Sequence, residues 1–291
     1  QRRVHGTNFD QPTKEDEFSA MSERDQQSSK EEASIMSFPS DIAFLIDKTN
    51  DANNENGPLS LKKIGEYFRV LHAADQTFAK VVANISGRSS EQEEKLVSCY
   101  LKRSTLYLGL LNSVTSCLFH LGESRIRLLN GLSLMETSPA DALTSLKPIA
   151  LKHVEEESEV FAMEGEDDED LKEVGWVWFW VCYTALAGLS DDSEKWVEKR
   201  RKVCLLSASA GKDDGGGVKD IVEINKVVKL LSDVADGKDL FHESERVRRM
   251  VEVLGNELDV LLEESNTLFF HVLGVRDKLI DTIRVSFDAK P

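Results

Sequence analysis

The sequence predicts an all-α fold: an elongated antiparallel helical bundle with two long helices. Three observations lead there. Apolar residues recur at steps of three and four almost everywhere, which places them on one side of a helix. No segment alternates with the period of a strand; the β-branched run Ile221–Val228 has helical flanks. Hydrophobic residues make up 41% of 291, enough to bury a sizeable core.

The elements follow in order. Residues 1–36 are polar and charged and read as a disordered tail. No initiator Met is present, and Met36, just before the first apolar run, is the expected start. A short helix is expected over Asp41–Lys48 behind Ser40, then a loop at 51–58 (DANNENGP). Ser60 caps a helix running to Ile85, with Leu61, Ile64, Phe68, Leu71, Phe78, Val81 and Ile85 on one face. After Gly87–Ser90, Ser90 and Glu93 form a capping-box pattern. The first long helix follows, striped by Val97, Tyr100, Leu101, Leu108, Leu111, Val114, Leu118 and Leu121, and reaching Met135.

Ser138-Pro139 marks the next helix start, and Pro148 should kink or interrupt that helix. Glu155 to Asp170 holds ten acidic residues and no Lys or Arg; its second half, 164–170, is expected to be a solvated loop. Val174–Leu189 (VGWVWFWVCYTALAGL) follows as a Trp-rich helix, then a helix from Ser193 carrying Trp196. Residues 207–217 form a flexible loop, Val218–Val234 another helix. The last helix should start near Ser244 and run almost to the C-terminus. Residues 37–291 thus form one expected bundle domain.

Composition excludes several functions. There are 36 Lys and Arg against 52 Asp and Glu, a net charge of −16. Such a surface repels nucleic acid and does not adsorb broadly to anionic membranes. The four cysteines form no CxxC pair and sit in apolar stretches, so they read as buried, reduced thiols of an intracellular protein. No histidine pair has metal-ligand spacing: His242-Glu243 lacks the second His of HExxH. The glycines at 211 and 215–217 lack a phosphate-loop pattern, and no GxSxG elbow occurs. Neither a metal, a cofactor nor a catalytic residue is expected.

The segment 174–189 has 16 uncharged residues, short of the ~20 that span a bilayer. Its preferred reading is a core helix. An interfacial segment stays open, since Trp176, Trp178 and Trp180 suit a membrane boundary. The basic run Lys199, Arg200, Arg201 and Lys202 lies close by, and Arg246, Arg248 and Arg249 form a second cluster. Pairing with neighbouring acids is the ordinary role of such clusters. The functional alternative joins Trp176, Trp178, Trp180, Lys199, Arg200, Arg201 and Lys202 into one interaction surface for a partner or lipid headgroups.

Two stretches resemble a known family. Tyr100–Pro139 (YLKRSTLYLGLLNSVTSCLFHLGESRIRLLNGLSLMETSP) is similar to the long helix of the plant BYPASS proteins, and Phe269–Arg284 (FFHVLGVRDKLIDTIR) to their closing helix. The resemblance spans roughly residues 58–286, loosely outside these two stretches. A cysteine expected near the asparagine of the long helix is missing: Leu111 precedes Asn112. The resemblance implies a non-enzymatic plant regulator of development, and a related branch of the family binds a subunit of the exocyst tethering complex. Together with the cysteine and Trp readings, the expectation is a cytoplasmic adaptor with peripheral membrane contact and exocyst-type trafficking subunits as partners. A helical protein binding a small molecule or lipid between the Trp helix and the long helices is the second reading, and an enzyme with an unrecognised site the third.

Overall fold

The computed structural model describes residues 59–85, 91–154, 169–204, 217–233 and 237–288. All lie in one of the two units into which the chain divides, Ile42–Pro291. The expected tail at 1–36, the helix at 41–48, the loop at 51–58, the cap at Ser90 and nearly all of the loop at 207–217 lie outside the described residues.

Among the described residues there are seven α-helices and no strands: α1 (Leu61–Ile85), α2 (Glu91–Ser133), α3 (Pro139–Ser145), α4 (Glu169–Leu189), α5 (Ser193–Cys204), α6 (Lys219–Asp233) and α7 (Gly237–Asp288). A 3₁₀ turn, Leu134–Glu136, continues α2. The two long helices hold 43 and 52 residues, so α7 measures about 78 Å at 1.5 Å per residue.

Three boundaries differ from the sequence reading. First, α7 begins at Gly237, not near Ser244. Residues 237–243 contain no proline and continue the helix past the buried stripe, leaving Phe241 and His242 exposed. Ser244 does not cap: its hydroxyl donates to the Phe241 carbonyl at 2.8 Å inside the helix. Second, α4 begins at Glu169, so the last two residues of the expected 164–170 loop are helical. Negative side chains favour a helix N-terminus. Third, α3 stops at Ser145, three residues before Pro148, because the residue before a proline leaves the helical region.

The hydrophobic helix α4 sits among amphipathic ones. From Val177 to Ser190 every residue except Phe179 is buried, the signature of a helix apolar on all sides. It packs against α5, α2 and α1. Its buried hydroxyls are satisfied within the helix: Thr184 donates to the Trp180 carbonyl at 2.7 Å and Ser190 to that of Leu186 at 2.8 Å.

Side chains stitch α2 to α7 along their length. Arg276 Nη1 donates to the Leu101 carbonyl and, at 2.7 Å, to Ser104 Oγ. The Thr115 and Ser265 hydroxyls are 2.9 Å apart. Arg125 Nε donates to the Val251 carbonyl at 3.1 Å, and Arg248 Nη2 to that of Leu132 at 3.4 Å. As the position in α2 rises, its partner in α7 falls. Gly255 matters to this seam because the Arg125 guanidinium lies where a Cβ would stand.

The start of α1, the end of α4 and the start of α6 meet at one junction. Asp220 Oδ2 accepts from the Leu61 amide at 3.0 Å, and the Leu59 carbonyl accepts from the Lys219 amide at 2.8 Å. Gly188 permits this closeness: a Cβ there would stand 2.8 Å from Leu59 Cδ2 and 2.9 Å from Val218 Cγ2. The non-helical stretch after α3 is tied to α6 by Asn225, whose amide accepts from the Ile149 amide at 2.7 Å and donates to its carbonyl at 2.9 Å.

Candidate functional site

The structure separates the residues joined by the sequence reading into one surface. Trp178 is 2% exposed and Trp180 6%. Trp178 stacks on Tyr107 with centroids 5.4 Å apart and meets Tyr100 edge-on at 5.7 Å. Trp180 meets Tyr67 edge-on at 5.0 Å. The first therefore faces α2 and the second α1. Residues two apart on a helix point about 200° apart, so these two cannot line one outer face, and both are core residues. The side chain of Trp176 lies outside the described residues. Among the described residues no helix is long and apolar enough to cross a membrane.

The basic run is likewise divided. Trp196 is buried against Tyr183, rings 5.9 Å apart. The Lys199 ammonium lies 4.6 Å above the Trp196 ring centroid and is buried with it, an attraction of ring face for cation. Arg200 is half-buried. Arg201 and Lys202 are exposed, and Arg201 pairs with Glu198 at 2.8 Å. An exposed pair of this kind adds little stability. Lys199 thus serves packing, and only Arg201 and Lys202 of the run stand fully at the surface. Arg246 and Arg248, from the second basic cluster, pair with Glu243 and Glu245, each at 3.5 Å.

The most unusual chemistry lies elsewhere, in an interior polar cluster that the sequence reading missed. Asp75 is completely buried. It occupies α1 four residues after Leu71, on the same apolar stripe. Across the seam, His271 of α7 follows Leu268 by three and precedes Val272, both buried. Its Nε2 comes 3.3 Å from Asp75 Oδ2, an ion-pair distance without hydrogen-bond alignment. Neither Asp75 oxygen has a hydrogen-bond partner. The His72 ring packs edge-on to that of His271 with centroids 5.2 Å apart, and its Nε2 is 2.7 Å from Gln76 Nε2.

Burial raises the Asp75 carboxyl from 3.8 to about 7, because an ionised carboxylate loses its hydration there. His271 moves down, first by desolvation, then by the neighbouring His72 and Lys278 charges. Tyr100 is pushed up by burial and then by Asp75, with Arg276 opposing. Tyr107, whose hydroxyl has no partner, is also pushed up, first by burial and then by Cys182, Asp75 and Tyr100. The cluster therefore draws on α1, α2, α4 and α7.

The thiols are unsuited to nucleophilic work. Burial pushes Cys117 up to about 11 and Cys182 further still, which keeps them protonated and unreactive. Cys99 is half-buried, and the side chain of Cys204 lies outside the described residues. Among the described residues, no group of three or more His, Cys, Asp or Glu is placed to hold a metal ion.

The signal for the cluster was available. A stripe read as Leu71 then Phe78 takes a step of seven and passes over Asp75 at its midpoint. A charged residue at an interior stripe position is the mark of a buried ionisable group. The His271 partner was not legible, since nothing local says which stripe of α7 faces α1.

No protein-family model, no curated protein and no solved structure matches this chain. The similarity of Tyr100–Pro139 and Phe269–Arg284 to BYPASS proteins therefore gains no support from these comparisons.

Proposed function

We propose that the chain is a non-enzymatic helical regulator that works through contacts with other proteins. One observation supports this reading most. Large apolar side chains stand in solvent at helical repeat positions: Phe119 and Ile126 on α2, 59% and 54% exposed, and Val253 and Val260 on α7, 57% and 47% exposed. A separation of seven residues puts each pair on a single helix face. Partner proteins recognise such faces through anchors at this spacing. The reversed order of the α2–α7 links supports an elongated antiparallel bundle as the scaffold. The BYPASS resemblance adds developmental signalling in a plant cytoplasm, with vesicle-tethering subunits as partners.

The test is affinity capture from plant cell extract with the whole chain and with a Phe119→Glu/Ile126→Glu variant of unchanged circular dichroism. Specific capture of trafficking or signalling proteins, lost in the variant, supports the reading. No specific capture, or an identical set with both proteins, sinks it for this face.

A second reading, small-molecule or lipid binding, has its own observation: the Asp75 oxygens and the Tyr107 hydroxyl are buried without partners. Buried polar groups are ordinarily hydrogen-bonded, and a polar ligand would satisfy them. Mass spectrometry of the purified protein after denaturation tests this. A stoichiometric small molecule supports it, and a clean spectrum counts against it.

A further inference from the structure

We propose that Asp75 and His271 form a proton-operated latch between α1 and the C-terminal half of α7, closed by protonation of the buried carboxyl and loosened when that proton leaves.

The geometry supplies both parts. Asp75 is fixed at an interior position of α1 with no solvent contact. Across the seam an imidazole nitrogen of His271 lies 3.3 Å from Asp75 Oδ2. With a small turn of either side chain a protonated Asp75 Oδ2 donates its hydrogen to that nitrogen, and the pair is then neutral. An ionised Asp75 leaves a charge in an apolar seam, with both oxygens lacking hydrogen bonds. Water relieves that charge only if the helices part.

The surroundings set the pH at which this happens. On α1 the neighbours are His72 and Gln76. On α2 Tyr100 and Tyr107 sense the Asp75 charge, and Cys182 on α4 couples to Tyr107. On α7 Lys278 acts on His271, while Arg276 acts on Tyr100 and has its Nη1 committed to Leu101 and Ser104. No hydrogen bond reaches the Asp75 oxygens, so desolvation dominates and the carboxyl titrates near neutrality. Its folded value is raised, so the stabilisation is complete below the ordinary 3.8 and is lost as pH rises through about 7. His271 has the opposite sign: its folded value is lowered, so its contribution is present above the ordinary 6.5 and fades as pH falls. Because His271 retains 29% side-chain exposure and Asp75 has none, the carboxyl governs the response.

The next link along the seam does not change this. Arg69 and Glu264 pair at 3.3 Å, but Arg69 is 57% exposed, and an exposed pair of this kind adds little. The device is therefore local to the His271 end. Opening it releases the stretch of α7 that carries Arg276, and with it the α7 grip on the Leu101 carbonyl.

Hydrogen exchange read by mass spectrometry on the whole chain tests the latch. Peptides around 70–78 and 268–275 are compared with a control around Val251, where Arg125 links the long helices. The ratio to the control removes the intrinsic pH dependence of exchange. Between pH 6 and pH 8 the latch peptides should open about tenfold more readily relative to the control, and Asp75→Asn should abolish that change. An unchanged ratio in the natural sequence, or the same response in Asp75→Asn, overturns the proposal. Infrared spectroscopy of the natural sequence with carbon-13-labelled aspartate keeps the test independent of the variant's folding. A protonated aspartic acid band present at pH 6 and gone by pH 8.5 is expected; its absence at pH 6 overturns the proposal.

Discussion

Replacing Trp178 by alanine probes the packing of α4 directly. The side chain is 2% exposed and touches two tyrosines of α2, stacked on Tyr107 at 5.4 Å and edge-on to Tyr100 at 5.7 Å. Truncating a buried tryptophan costs about 3–5 kcal/mol, from lost transfer energy plus the cavity left behind. Aromatic pairs of this geometry account for about 0.5–1.5 kcal/mol each within that sum. Against the roughly 5–15 kcal/mol of an ordinary domain, a loss of this size is about a fifth or more. Urea unfolding followed by far-ultraviolet circular dichroism measures it. Trp178→Phe keeps a ring against Tyr107 and should lose clearly less than the alanine variant. A loss under about 0.5 kcal/mol for Trp178→Ala, the size of a surface substitution, would refute the burial argument.

Four further outcomes are expected. Asp75→Asn should be more stable than the natural sequence at pH 8 but not at pH 4, because a carboxyl raised from 3.8 to about 7 carries a penalty only when ionised; three pH units correspond to about 4 kcal/mol, read from urea unfolding at both pH values. Gly188→Ala should lower the unfolding midpoint, since overpacking against Leu59 and Val218 costs about 1–3 kcal/mol against about 1 kcal/mol of helix propensity gained. Gly255→Ala should lie within about 0.5 kcal/mol of the natural sequence: it displaces Arg125 from the Val251 carbonyl, a loss of about 1 kcal/mol that the propensity gain offsets. Cys117 and Cys182, buried and held protonated, should resist alkylation at pH 8 in the native state and react after unfolding, as peptide mass spectrometry would record.

Much of the helical order was legible because local signals sufficed. Ser60 before Leu61 marked the start of α1: the Ser60 hydroxyl accepts from the Lys63 amide at 3.2 Å, the bond an N-cap makes. Ser138-Pro139 marked α3 through the proline at its first position; the Ser138 hydroxyl makes no cap bond to the backbone and donates instead to Asp141 Oδ2 at 2.6 Å. The long stripes of α2 and α7 reflect burial against partners that stay on one side for many turns.

Trp178 and Trp180 do not share an outer face, for a geometric reason also present in the sequence. Tryptophans at 176, 178 and 180 suit a shared face only in a strand, where the period is two. In a helix, 178 points away from 180. Lys199, a member of the candidate basic run, is buried on Trp196. A lysine three residues after Trp196 lies over the ring, and its stem is buried with it. The Asp75–His271 pairing depends on which faces of α1 and α7 meet, a tertiary fact that no local pattern encodes.

The claim on which the architecture rests is that the Trp-rich helix α4 is interior and does not engage lipid. Fluorescence quenching by brominated anionic phospholipid vesicles tests it, with a Trp176→Phe/Trp196→Phe version of the whole chain in which only Trp178 and Trp180 emit. The account predicts blue-shifted emission that the vesicles leave unchanged. Strong quenching on vesicle addition would contradict it and place these rings at a membrane boundary.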